Sequence, residues 1–96
     1  MGFVKMQVRA DELQIGDIMS STPERWVHRA YVPVGPTIYK IVSAINYGTW
    51  VNDPDSVRIE VSFKRYDVKT AKAGRSISKH SNWKPTLTLT VYRKSA

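Results

Sequence analysis

The sequence predicts an all-β protein. The expected form is a small barrel, or strongly bent sheet, of about five strands, with a long basic loop between the last two. Three observations carry this. Apolar and polar residues alternate strictly along two stretches, SVRIEVSFKRYD and PTLTLTVYRK. Only ADELQ hints at a helix, and Gly16 ends it within about a turn. The 96 residues suit a single small core, and closing the sheet removes edges that a small domain otherwise exposes.

Each element follows from local chemistry. Residues 3–10, FVKMQVRA, read as the first strand. At Ala10-Asp11-Glu12-Leu13 the chain turns a corner: Asp11 accepts backbone N–H groups, and Leu13 and Ile15 tuck under the sheet. Gly16 supplies a backbone angle that other residues avoid, and Asp17 ties the loop. Residues 25–32, RWVHRAYV, lie between Pro23 and Pro33 and read as a second strand, with Trp26 on its core side. Residues 37–47 make a longer central strand, apolar on both faces, which Gly48 bends and Trp50 and Val51 resume. Tyr39 and Tyr47 share its parity and read as core or half-core residues. Asn52-Asp53-Pro54-Asp55 is a turn by composition, so 37–63 becomes one long hairpin. On the next strand Val57, Ile59, Val61 and Phe63 face inward, and on the last Leu87, Leu89 and Val91 do.

The corner Ala10-x-x-Leu13-x-x-Gly16-Asp17 resembles the opening of small SH3-like β-barrel proteins encoded by actinobacterial phages. In that pattern a strand with Trp or Val follows, here Trp26 and Val27, and the last strand closes on an aromatic residue and Arg, here Tyr92 and Arg93. The resemblance spans about residues 8–29 and the last strand. It implies an SH3-like fold and a phage source, and carries over no activity.

Composition narrows the function classes. With no cysteine, disulfides, thiolate metal sites and cysteine catalysis are excluded, and a reducing, cytoplasmic setting is expected, that of the host cell if the source is a phage. Nowhere do eighteen apolar residues run together, so no membrane insertion is expected. The N-terminus meets charges at once, unlike a signal peptide. His28 and His80 lack a nearby carboxylate cluster, and no Gly-rich phosphate cradle is present. Ser78, His80 and Ser81 are too close in sequence to form an oriented nucleophile and base. The expectation is a non-catalytic protein without cofactor or metal.

Charge is the strongest signal. Net charge is +7, yet residues 1–60 carry six bases and seven acids, while residues 61–96 carry nine bases and only Asp67. The excess concentrates in KRYDVKTAKAGRSISKHSNWK, residues 64–84. Its middle has only Ile77 to bury, so packing cannot offset ordering entropy of about 1–2 kcal/mol per residue. A flexible loop over 64–85 is therefore expected, in which Lys69, Lys72, Arg75 and Lys79 can line one face of a transient helix. Such a loop suits a polyanion, because each phosphate contact releases counterions. The candidate nucleic-acid-binding residues are Arg65, Tyr66, Lys69, Lys72, Arg75, Lys79, Trp83 and Lys84. If the strands at 57–67 and 85–93 are neighbours, Tyr66 and Trp83 meet at the base of the loop, as a hydrophobic clasp or as a platform for bases. The alternative is a protein-interaction module: the loop docks on an acidic host protein and Tyr31, Trp50 or Trp83 anchors the contact. An exposed edge strand also offers a route to a homodimer. The plainest reading of the loop is a solvated segment that keeps the protein soluble.

Overall fold

A computed structural model describes residues 2–95. Its strands are β1 (Phe3–Arg9), β2 (Ile18–Ser21), β3 (Glu24–Val27), β4 (Ala30–Pro33), β5 (Ile38–Trp50), β6 (Asp53–Asp67), β7 (Lys72–Trp83) and β8 (Thr88–Lys94). A single 3₁₀ turn, Ala10–Glu12, follows β1. The protein is all-β, as the alternation predicts.

Six strands form one antiparallel sheet in the order β1-β8-β2-β5-β6-β7, and β3 and β4 form a separate hairpin. The large sheet does not close, because β1 and β7 are its edges and do not pair. It is strongly bent instead. The Phe3 ring on β1 lies 6.4 Å from that of Tyr66 on β6. Four flat inter-strand steps of about 4.8 Å would hold those strands about 19 Å apart.

Strand twist lets this sheet bury one face and half-bury the other, at opposite ends. Pairing register puts Val8, Leu89, Val91, Val42, Phe63, Val61 and Ile59 on one face, where with Ala10 and Leu13 they form the buried core. Phe3, Tyr92, Ile18, Ile41, Tyr39 and Tyr66 lie on the other face, toward the end where Phe3 meets Tyr66. The radius of gyration is 15.0 Å, against about 12.5 Å for a compact chain of this length. An open sheet with projecting hairpins accounts for the excess.

The corner holds at Leu13, Gly16 and Asp17. Ile15, however, is 68% exposed and does not tuck under the sheet, and the Asp11 carboxylate accepts the Arg9 guanidinium at 2.8 Å in place of the expected backbone N–H groups. Gly16 has φ +98°, and Asp17 is 1% exposed. Its carboxylate accepts the Gln14 N–H at 2.9 Å and two donors of Arg93, Nε at 2.9 Å and a terminal nitrogen at 2.8 Å. The second Arg93 nitrogen also donates to the Glu12 carbonyl at 3.2 Å. The start and the end of the chain are thereby locked together.

Several expectations are corrected. The described residues form eight strands, because 25–32 folds into the β3–β4 hairpin and 18–21 forms β2. His28 and Arg29 are the two-residue turn of that hairpin, with φ of 48° and 65°. The hairpin stands off the sheet, which leaves Trp26 60% exposed. Tyr47 is 63% exposed, near the free end of the β5–β6 hairpin. That hairpin turns at Val51-Asn52, two residues earlier than composition suggests, and Asp53 already pairs with Trp50.

The largest correction concerns the basic loop. Residues 72–83 are strand β7, not a flexible loop or a transient helix. The loop between β6 and β7 is four residues, Val68 to Ala71. The reason lies in β6. This 15-residue strand has two backbone edges, and β5 pairs with only one. β7 supplies the ladder partners for the other, so backbone hydrogen bonds replace the apolar burial that the segment lacks. Side chains add to this: Ser62 Oγ and His80 Nδ1 lie 3.0 Å apart, Ser78 Oγ donates to the Phe63 carbonyl at 3.3 Å, and Trp83 packs on the core.

Candidate nucleic-acid interface

The basic residues gather where β5, β6 and β7 end together. Asp67 builds the turn: its Oδ1 accepts the N–H groups of Lys69 at 2.9 Å and Thr70 at 3.4 Å. Ala71 closes it at φ 55°. Because the one carboxylate of this region is held by backbone donors, it makes no ion pair with the lysines around it. Beside the turn lies an open cavity of about 700 Å³, whose lining includes Tyr39, Arg65, Tyr66, Lys69 and Lys72. Tyr39 sits directly opposite Tyr66, and Lys40 directly opposite Arg65.

Like charges placed directly opposite on neighbouring strands repel. Among the described residues the ion pairs are Arg9–Asp11, Arg58–Glu60 and Arg93–Asp17, so Lys40, Arg65, Lys69, Lys72, Arg75 and Lys79 have no acidic partner. Burial, then Lys79, then Arg65 hold the Lys40 ammonium below its ordinary pKa. The strand ends therefore carry positive charge and two aromatic rings with little to neutralise them.

The eight residues predicted from sequence do not make one site. Arg65, Tyr66, Lys69 and Lys72 come together around the cavity. Arg75 is exposed further along β7. Lys79 pairs with Phe63 and faces the core side of the sheet. Trp83 and Lys84 lie at the opposite end of β7, roughly 35 Å of extended strand from Lys72. Trp83 packs edge-on against Phe63 at 5.9 Å, and Lys84 lines a separate hollow with Trp50 and Asp53. The expected Tyr66–Trp83 clasp is absent, because β6 and β8 are not neighbours and Trp83 pairs with Ile59, seven residues from Tyr66.

Sequence reasoning missed Lys40 and undervalued Tyr39. Both sit on the central strand opposite Arg65 and Tyr66. The only signal was the hairpin itself, and two register shifts lie between its turn and these pairs, so counting back from the turn misplaces them. His80 serves the fold by answering the buried Ser62 hydroxyl. No helix among the described residues is long and apolar enough to cross a membrane. Comparison with protein-family models, curated proteins and solved structures finds no match to this chain.

Proposed function

We propose that this protein binds nucleic acid, without catalysis and with little sequence preference, through the β6–β7 end of its sheet. The observation that supports this is the cluster of unpaired cations, Arg65, Lys69 and Lys72, around the cavity beside Tyr39 and Tyr66. Arg75 extends the cluster along an exposed strand. The cations hold phosphates, and the tyrosine rings give bases a surface, at about 1–3 kcal/mol per stacked base. Base-reading groups are few, so affinity comes mainly from counterion release.

A salt titration with labelled duplex and single-stranded DNA tests this. Phosphate contacts from Arg65, Lys69, Lys72 and Arg75 give a log–log slope of roughly −3.5 on duplex DNA. The double variant Lys69→Gln, Lys72→Gln lowers that slope by about 2 units and leaves thermal stability unchanged, since both side chains are exposed. A slope near zero, or equal slopes for the two proteins, refutes the assignment.

A second reading has its own observation. Trp26 and Tyr31 stand 60% and 66% exposed on the β3–β4 hairpin, with their rings 4.8 Å apart. Exposed aromatic pairs are typical anchors of protein interfaces. In this reading the hairpin contacts an acidic protein, such as a host protein if the source is a phage, helped by Arg25 and Arg29. Of the anchors expected from sequence only Tyr31 stands free, because Trp50 donates to the Val57 carbonyl at 3.1 Å and Trp83 packs on Phe63. Retention of one protein partner from nuclease-treated lysate, lost with Trp26→Ala, favours this reading over the first. We also infer an SH3-like kinship, which the Leu13–Asp17 corner and its lock to Arg93 support.

A further inference from the structure

The core face of the sheet ends in an unusual neighbourhood. Val42 and Phe63 are buried and paired, but the next residues on the same face are Lys40 and Arg65, also paired. On the other side of β6, Lys79 stands opposite Phe63. Three cations thus share one corner of an otherwise apolar face. Met19 stands opposite Lys40 and packs on the core, so Lys40 is half-buried beside the exposed Ser21, Arg65 and Lys79. A cavity of about 90 Å³ opens here, lined in part by Lys40, Lys79, Ser21, Ser81, Phe63 and Trp83. At about 30 Å³ per water, it holds roughly three waters, the scale of one tetrahedral oxyanion.

We propose that this pocket is a phosphate subsite: Lys40 and Lys79 hold the oxyanion, Ser21 and Ser81 donate hydroxyl hydrogens, Arg65 adds charge at the rim, and Trp83 forms an aromatic wall. The ligand class is a phosphate ester, either the terminal phosphate of a nucleotide or a backbone phosphate of a nucleic-acid strand. Two features favour an anion over empty solvent. Cations directly opposite each other cost stability unless something neutralises them, and none of the three has an acidic partner. Partial desolvation of Lys40 also strengthens its charge-assisted hydrogen bonds to an anion. The depressed pKa of Lys40 reflects the same surroundings. A bound oxyanion would raise it.

This inference deepens the nucleic-acid reading and takes its ligand class from it, but the two fail separately. The probe is inorganic phosphate against chloride at matched ionic strength, followed by thermal unfolding and by amide shifts of Ser21, Ser81 and Trp83. The wild type shows saturable shifts and a rise in Tm. Lys40→Met unfolds at a higher temperature than the wild type in chloride, because the burial of a charge and its repulsion by Lys79 and Arg65 are removed, yet binds phosphate roughly 10- to 100-fold more weakly. Lys79→Met, at an exposed position, gives the same loss of binding. Phosphate effects of equal size in all three proteins, or no saturable shift in the wild type, overturn the proposal. A nucleoside monophosphate that also quenches Trp83 supports the nucleotide as source, and competition between phosphate and a single-stranded oligonucleotide supports the backbone. Loss of duplex binding in Lys69→Gln, Lys72→Gln with the phosphate shifts intact separates this pocket from the larger groove.

Discussion

At the scale of single residues, two cations have opposite fates. Arg93 is matched: Asp17 takes two of its nitrogens at 2.9 and 2.8 Å, and the Glu12 carbonyl takes one at 3.2 Å. Hydrogen bonding to Asp17 comes first among the causes that push its pKa further up. Arg93→Ala leaves the Asp17 carboxylate buried without its counter-charge, at a cost of about 3–5 kcal/mol. Arg93→Lys recovers only part, because an ammonium cannot match the carboxylate with two parallel bonds. Urea denaturation of the two variants checks this, and equal stability of Arg93→Lys and the wild type would show that geometry is unimportant there. Lys40 is unmatched, and its pKa is held below the ordinary 10.5. A base with a lowered folded pKa costs stability while it is charged in both states. That cost is full below the folded value and fades as pH rises from there to about 10.5. The stability advantage of Lys40→Met over the wild type therefore shrinks across that alkaline window. An advantage that stays constant through it would mean that the ammonium charge is not the source.

At the scale of elements, the two hairpins show where local chemistry suffices and where it does not. The β3–β4 turn uses His28 and Arg29 at φ of 48° and 65°, a type I′ geometry that favours Asn-Gly. Replacing the pair by Asn and Gly stabilises the hairpin by about 1 kcal/mol. Slower amide exchange within β3 and β4, with the global Tm little changed, is the expected result, since this hairpin forms its own sheet. An equal slowing across the large sheet would show that the two unfold together. No glycine or Asn-Gly pair marks this turn in the sequence, so RWVHRAYV reads as one strand. β7 was hidden for a different reason. Its residues alternate no apolar face, and its order comes from the free edge of β6. As an edge strand carrying Lys72, Arg75 and Lys79, it also discourages pairing with its own copy by repulsion. That is the plain alternative to a binding role, and the salt slope distinguishes them.

At the scale of the molecule, charge and shape coincide. The first 60 residues are nearly neutral, and the excess lies in the last third of the chain. Folding spreads that third over two edges of the sheet: β7 is one border, while β8, with Arg93 and Lys94, sits next to the other. The β6–β7 end brings the unpaired cations Arg65, Lys69 and Lys72 together with the rings of Tyr39 and Tyr66 around a cavity of about 700 Å³. Arg93 is already paired, so the salt dependence expected of binding reports on the unpaired cations of β5, β6, β7 and the turn between β6 and β7. Strand twist brings Phe3 to Tyr66 and leaves the second face of the sheet half-buried.

Local sequence patterns are enough for the all-β class, for β1, β5, β6 and β8 of the large sheet, for the Gly16-Asp17 corner and for the basic character of residues 64–84. These follow from period-two alternation, backbone freedom at glycine and a count of charges, all of which are local. Tertiary structure alone decided that the sheet stays open, that the basic segment is a strand, and that Lys40 and Tyr39 join Arg65 and Tyr66. Those outcomes depend on which backbone edges find partners and on register shifts within the ladders. Neither leaves a pattern in a chain read one residue after another.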